Sequence, residues 1–189
     1  MRVAQPRAPE ATARGLSRAA SVRVRVSLPI LDSYAVTERL LAGEYPGAAD
    51  AASAERRMQA FAEQGIATFV DLTHPADALA PYEHLLPADG RRIAHPIVDL
   101  GTTTIPHMTR ILDDVDAALA DDRSVYVHCW GGIGRTGTVV GCWLVRHRLD
   151  DGDPLRTIAR LRRGVPDAWA ASPQTAAQRA MVTGWKPGR

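Results

Sequence analysis

HCWGGIGRTGT, residues 128–138, is the stretch on which the fold turns. A β-branched run, Ser124-Val-Tyr-Val-His128, leads into it and reads as a buried strand. An apolar run from about Thr136 to Leu149 leaves it and reads as a helix. The loop between them therefore joins the carboxyl end of a strand to the amino end of a helix. Amide hydrogens at a helix N-terminus lack intrahelical partners and sit at the positive end of the dipole, so the place suits an anion. Gly131, Gly132 and Gly134 free the backbone to turn its N–H groups inward as a nest.

One of only two cysteines, Cys129, stands at the start of that nest. The inward amides and a nearby arginine favour thiolate over thiol and predict a lowered pKa. A thiolate on the floor of an anion cradle suits attack on a bound phosphate. Arg135 offers a planar fork of donors to two phosphate oxygens. Thr136 follows it, with a hydroxyl expected to donate to the sulfur. Trp130, Gly131, Gly132, Ile133 and Gly134 are the expected substrate-binding residues together with Arg135. No GxxxxGK[ST] is present, which excludes a P-loop nucleotide site. The plain alternative is a glycine-rich turn around a structural cysteine.

The remaining chain supplies strands and helices in alternation. "RLLAGEYPGA" (39–48) reads as a short strand ending in a Pro-Gly turn, Asp50–Gln64 as a helix and "IATFVDL" (66–72) as a buried strand. Residues 73–90, with Pro75, Pro81 and Pro87, read as loop with a short helix near 81–86, and "RIAHPIVD" (92–99) as a strand. Thr103 or Thr104 caps a helix running to about Ala120, Asp153-Pro154 starts another to about Arg163, and Ser172-Pro173 starts the last, to about Thr183. The expected fold class is α/β, a central and mostly parallel sheet flanked by helices. Residues 1–20 read as a disordered basic leader and 21–189 as one domain, in which Val22, Val24, Val26 and Leu28 alternate as a candidate edge strand.

Bulk numbers narrow the function classes. A 189-residue chain with 46% hydrophobic and 23% charged residues is ordinary for a globular domain. A net charge of +2 gives no electrostatic case for nucleic-acid binding. Lys186 is the only lysine, so the many arginines reflect compositional bias more than function. Cys129 and Cys142 make no disulfide framework, and no apolar run is long enough to span a membrane. A reducing cytoplasm is the expected setting. Cys142, among Val139, Trp143 and Val145, reads as core, with a redox pairing to Cys129 as the other reading. "RLRRG" (160–164) reads as a solvated helix end or a basic rim.

His128-Cys129-x5-Arg135-Thr136, with Gly132, Gly134 and Gly137, resembles the signature of the cysteine-dependent protein tyrosine and dual-specificity phosphatases. The resemblance implies a protein tyrosine phosphatase-like fold, a phosphocysteine intermediate, no cofactor and no metal. It implies that His128 orients the loop and that an acid on a separate loop protonates the leaving group. Asp99 in "HPIVDLGTTTIP" is that candidate, with Asp71 as a competitor of structural character; Asp113 and Asp114 read as solvated. "SPQTAAQ" (172–178) resembles the family's late segment, which supplies a glutamine to aim water. Gln178 matches its position, and Gln174 lies one turn earlier.

Relatives that cleave polyphosphorylated inositols tend to carry lysines in the loop. The uncharged loop here implies a single-phosphate monoester, on phosphotyrosine or on phosphoserine and phosphothreonine of a protein or a small molecule. Orthophosphate or sulfate is expected to occupy the loop, and neither nucleic acid nor membrane is an expected partner. A rhodanese-like sulfurtransferase, an arsenate reductase and an inactive phosphate-binding module stand as alternatives.

Overall fold

The computed structural model describes residues 28–189. The leader over 1–20 and, save Leu28, the alternating strand over 22–28 lie outside the described residues. The elements run β1 (Ser33–Ala35), β2 (Leu40–Gly43), α1 (Ala51–Glu63), β3 (Ile66–Asp71), β4 (Arg91–Ala94), α2 (Ile105–Ala120), β5 (Ser124–His128), α3 (Gly134–Arg146), α4 (Pro154–Leu161) and α5 (Ala176–Gly184). They form a five-stranded sheet in the order β1-β2-β5-β3-β4. Only β1 is antiparallel; β2, β5, β3 and β4 pair in parallel. The expected α/β architecture with a mostly parallel sheet is the one observed.

β5 is central and buried on both faces, as a continuous apolar strand in a parallel sheet must be. Its side chains alternate. Val125 and Val127 join the larger core with α2 and α3, whereas Tyr126 meets Phe61 and Phe69 under α1. Register carries the consequence for function. His128 is opposite Gly43 on one side and Asp71 on the other, so three chain segments finish level at the carboxyl edge of the sheet. Loops leaving such an edge are where α/β folds build sites.

α3 is buried along almost its whole length, from Gly134 to Val145. A helix apolar all round belongs inside, and here α2, α4, α5 and the sheet enclose it. Gly141 permits the closest approach, because a Cβ there would lie 2.6 Å from a methyl of Val182 on α5. Caps set the other helix starts: Asp50 accepts from Ser53 N at 2.8 Å and Asp153 from Arg156 N at 3.0 Å. Among the described residues no helix is long and apolar enough to cross a membrane.

Three boundaries depart from expectation. β1 is too short, at three residues, to announce itself by periodicity. β4 ends at Ala94 rather than near Asp99, because Pro96 cannot donate to a ladder. The last helix begins at Ala176, not at Pro173. A reciprocal box between Thr175 and Gln178 caps it there.

Candidate active site

Cys129 follows β5 directly and is 3% exposed, its thiol free. The backbone then turns through Gly132 at φ +68°, a left-handed conformation that glycine tolerates. A Cβ at Gly132 would overlap the Gly43 carbonyl carbon and lie 2.6 Å from Glu44 N, so the loop leans on the end of β2. Tyr45 N donates to Trp130 O at 2.8 Å and closes the same seam. At the far end, Ser172 Oγ donates to Ile133 O at 2.7 Å. Ile133 precedes α3 without a side-chain cap, so the first amides of that helix remain available to an anion.

His128 is fully buried. Its Nδ1 lies 3.3 Å from Cys129 O and its Nε2 2.8 Å from Tyr82 Oη. A carbonyl can only accept, so Nδ1 carries the proton and Nε2 accepts from the tyrosine hydroxyl. Burial pushes the ring's pKa down, against the opposing pull of Asp71. The neutral ring braces the backbone of Cys129.

Asp71 takes N–H and O–H from Thr73, both at 2.7 Å, and pairs with Arg92 Nε at 2.6 Å. Burial alone would raise its pKa, but the His128 ring and the Thr73 and Arg92 donors more than offset it and hold the carboxyl low. With His128 neutral, Thr73 and Arg92 carry most of that effect. Asp71 is thus bound up in structure.

Arg135 is 2% exposed and held on several sides. Its Nη1 lies 2.6 Å from Asp77 Oδ2 and 3.0 Å from Ile97 O, and its Nη2 is 2.9 Å from Asp99 Oδ1. Its Nε is buried without a partner. A buried N–H with nothing to bond is costly unless a ligand completes it.

Asp99, Leu100, Cys129, Trp130, Gly131, Ile133, Gly134 and Gln174 line one cavity of about 190 Å³. Sulfur, candidate acid and candidate water-holder therefore share a pocket, although 30 and 45 residues separate Asp99 and Gln174 from Cys129. Apart from Asp99, its walls are uncharged. A larger cavity of about 280 Å³ lies around Asp71, His74, Glu83 and Arg92, and its lining includes neither Cys129 nor Asp99.

Two expected contacts involve further partners. Thr136 Oγ1 lies 3.5 Å from Gly43 O, a long contact on the β2 side of the loop. Thr136 points at the β2 seam because Gly43 ends level with His128. Gln178 is fully buried, its Oε1 accepting from Gln174 N and Thr175 N, both at 3.1 Å, and its Nε2 donating to Gly101 O at 2.8 Å. It ties α5 to the Asp99 loop and leaves Gln174 facing the cavity. A Cβ at Gly134 would meet Gln174 Oε1 at 2.5 Å, which places that amide against the end of the cysteine loop.

The remaining assignments fall on both sides. The side chains of Asp113 and Asp114 are open to solvent as expected, and each also carries an ion pair, Asp114 with His95 and Asp113 with Arg146. Arg162 is buried and bonded to Asp167 and Ala170 O, not part of a solvated end or rim. Cys142 lies in the core as expected, where burial pushes its thiol pKa up. Asp77 and Tyr82 were not singled out by the sequence. Both come from the proline-rich stretch, where no spacing links them to Cys129.

The profile of the family described as "Polymorphic toxin system, DSP-PTPase phosphatase" matches residues 43–149. Cyclin-dependent kinase inhibitor 3 of Rattus norvegicus is 35% identical over 68 residues, 36% of this chain and 32% of that protein. The human protein of that name is also 35% identical over 68 residues, with the same shares. The matched stretch thus spans about a third of these curated relatives. The crystal structure of Tk-PTP in its active form superposes with a TM-score of 0.64 at 20% identity, covering 81% of this chain and 95% of that one. Kinase associated phosphatase, with its catalytic-site cysteine replaced by serine, superposes at 0.60 and 21% identity, covering 75% and 83%. These likenesses establish a shared fold.

Proposed function

The chain belongs to the DSP-PTPase phosphatase family of polymorphic toxin systems, and on that footing we propose that it hydrolyses phosphomonoesters of protein tyrosine, and of serine or threonine, through a phosphocysteine at Cys129. The carrying observation is the shared cavity: Cys129 and Asp99 line it together, and Asp99 rests on the Arg135 guanidinium whose Nε is otherwise unpartnered.

An incoming phosphate takes the inward amides of residues 129–135 and displaces the Asp99 carboxylate from Arg135, and the freed carboxylate takes up a proton from solvent. The sulfur attacks phosphorus; the S–P bond forms as the P–O bond to the leaving group breaks, and Asp99 gives its proton to the departing oxygen. Water near Gln174 then attacks the phosphocysteine and loses a proton to Asp99. The P–S bond breaks, returning thiolate and orthophosphate. Amides and guanidinium hold the charge of the transferring group throughout. Thr136 supports the loop through Gly43 in this scheme. Leu100, Trp130 and Ile133 offer uncharged walls to an aryl or alkyl leaving group.

The acid beside the sulfur favours this reading over a sulfurtransferase, which needs no proton donor, and over an idle binding module. Two free thiols suit action in a reducing cytoplasm. The family's description further supports a role as the toxic component of such a system.

The test is phosphate release from p-nitrophenyl phosphate with EDTA present. Activity is expected to survive chelation, vanish in Cys129→Ser and fall ~10²-fold in Asp99→Ala. Sulfur transfer from thiosulfate to cyanide, without phosphate release, would overturn the reading. Growth arrest on expression of wild type but not of Cys129→Ser would support the toxic role; growth unaffected by active enzyme would count against it.

A further inference from the structure

The segment that carries Asp99 leaves β4 and enters α2; Asp99 pairs with Arg135 at 2.9 Å, but the apolar side chains at its tip hold it little. Val98 is 61% exposed and Leu100 55%, so neither contributes much burial. Gly101 N donates to Val98 O at 2.9 Å, closing a tight turn in which Leu100 sits at φ +57°. A branched side chain in the left-handed region is strained and persists only where its surroundings impose it. Gln178, bonded to Gly101 O, supplies one restraint.

Another spans the base of the loop. His95 follows β4, its N–H bonded to Asp71 O at 2.8 Å and its ring largely buried. Thr103 and His107 belong to the opposite stem. Thr103 Oγ1 lies 2.7 Å from His107 Nδ1, His107 Nε2 lies 3.2 Å from His95 Nδ1, and His95 Nε2 lies 2.8 Å from Asp114 Oδ2. His107 and Asp114 are seven residues apart on α2, two turns, and so share a face; His95 is gripped between them.

The directions follow from the carboxylate, which accepts only. His95 Nε2 donates to Asp114, so His95 Nδ1 accepts from His107 Nε2–H, and His107 Nδ1 accepts from the Thr103 hydroxyl. Each ring nitrogen is used once. With both rings neutral these directions hold, and burial, the largest influence on His107, keeps that ring toward its neutral form.

Resting on the assignment of Asp99 as the acid, we propose that Thr103, His107, His95 and Asp114 form a clasp joining the two stems of the acid loop, and that His95 and His107 are positioning residues for proton delivery by Asp99. Neither histidine lines the cavity that holds Cys129. A clasp of this kind matters only when the leaving group needs a proton, because an acid displaced by about 1 Å loses much of its effect while the nucleophile keeps its own.

The experiment compares kcat/KM for phenyl phosphate, whose leaving group needs protonation, with that for 2,4-dinitrophenyl phosphate, whose leaving group does not. His107→Ala and His95→Ala are expected to lose about tenfold or more on the first and less than about twofold on the second. Thr103→Val, which removes one hydroxyl with little change of volume, should shift the same ratio more weakly, and His107→Gln should restore part of it. In an Asp99→Asn background the histidine substitutions should add nothing, since the residues act as a unit.

Equal losses on both substrates, or full additivity with Asp99→Asn, would overturn the clasp. If Asp99→Asn itself failed to separate the two substrates, the assignment of the acid would fall and the clasp with it, a pattern distinct from the first. Should the alanine variants not fold, Thr103→Val decides: an unchanged ratio overturns the proposal.

Discussion

The carboxylate of Asp77 lies 2.6 Å from Arg135 Nη1, with the two side chains 5% and 1% exposed. Asp77 is itself fixed by a 3₁₀ turn, where its Oδ2 also accepts from His74 N at 3.0 Å. A residue from a proline-rich connection thus holds the guanidinium through Nη1, while Nε is buried without a partner.

Removing that carboxylate strands a buried charge. Asp77→Ala should cost about 3–5 kcal/mol of stability, the usual price of breaking a buried pair from one side. It should also raise both KM for aryl phosphates and the inhibition constant of orthophosphate. Thermal melts with and without phosphate read both effects. Unchanged phosphate inhibition in a folded Asp77→Asn variant would show that Arg135 orients itself.

The cysteine loop contains its own control. Gly132→Ala should destabilise the protein and abolish the rise in melting temperature caused by phosphate, because the new methyl overlaps the end of β2 and φ is +68°. Gly131→Ala should leave stability almost unchanged, since a Cβ there has its nearest neighbour, Ile133 Cδ1, at 4.0 Å. Similar melting temperatures for the two variants would contradict the packing described.

The glutamines should separate in kinetics. Gln174 faces the cavity, so Gln174→Ala should slow hydrolysis of the phosphocysteine and produce a burst of p-nitrophenol before a slow steady state. Gln178→Ala removes a buried amide with three hydrogen bonds and should lower the melting temperature first. A burst from Gln178→Ala alone would reverse these parts.

Stability should fall in mild acid. An unfolded histidine titrates near 6.5, and the folded His128 value is depressed by burial. Between the two values the unfolded chain binds more protons, so the contribution is complete above about pH 6.5 and is lost as pH drops toward the folded value. His107, depressed in the same direction, adds to the slope. Asp71, also held low, acts only in stronger acid, below about pH 3.9. The melting temperature should decline from pH 6.5 to 5, less steeply in His128→Asn. A flat profile in the wild type would mean that the buried ring takes its proton without cost.

Much of this molecule was written locally. Strand β5, the glycine loop and helix α3 are contiguous, so periodicity and the φ freedom of glycine define them without distant help, and Cys129 and Arg135 come with them. The α/β alternation is legible for the same reason, and Asp99 lay within reach because its proline-flanked loop resembles a known pattern. Tertiary structure decided which distant groups meet the loop. Register in the parallel sheet brings Gly43 and Asp71 level with His128 and turns Thr136 toward a backbone carbonyl. Parallel packing also delivers Asp77, Tyr82 and the His95–His107 pair, whose contacts span 58, 46 and 12 residues. A linear chain encodes its own turns and stripes, but contacts made across a sheet edge depend on how its strands are ordered and aligned, and no local spacing records that.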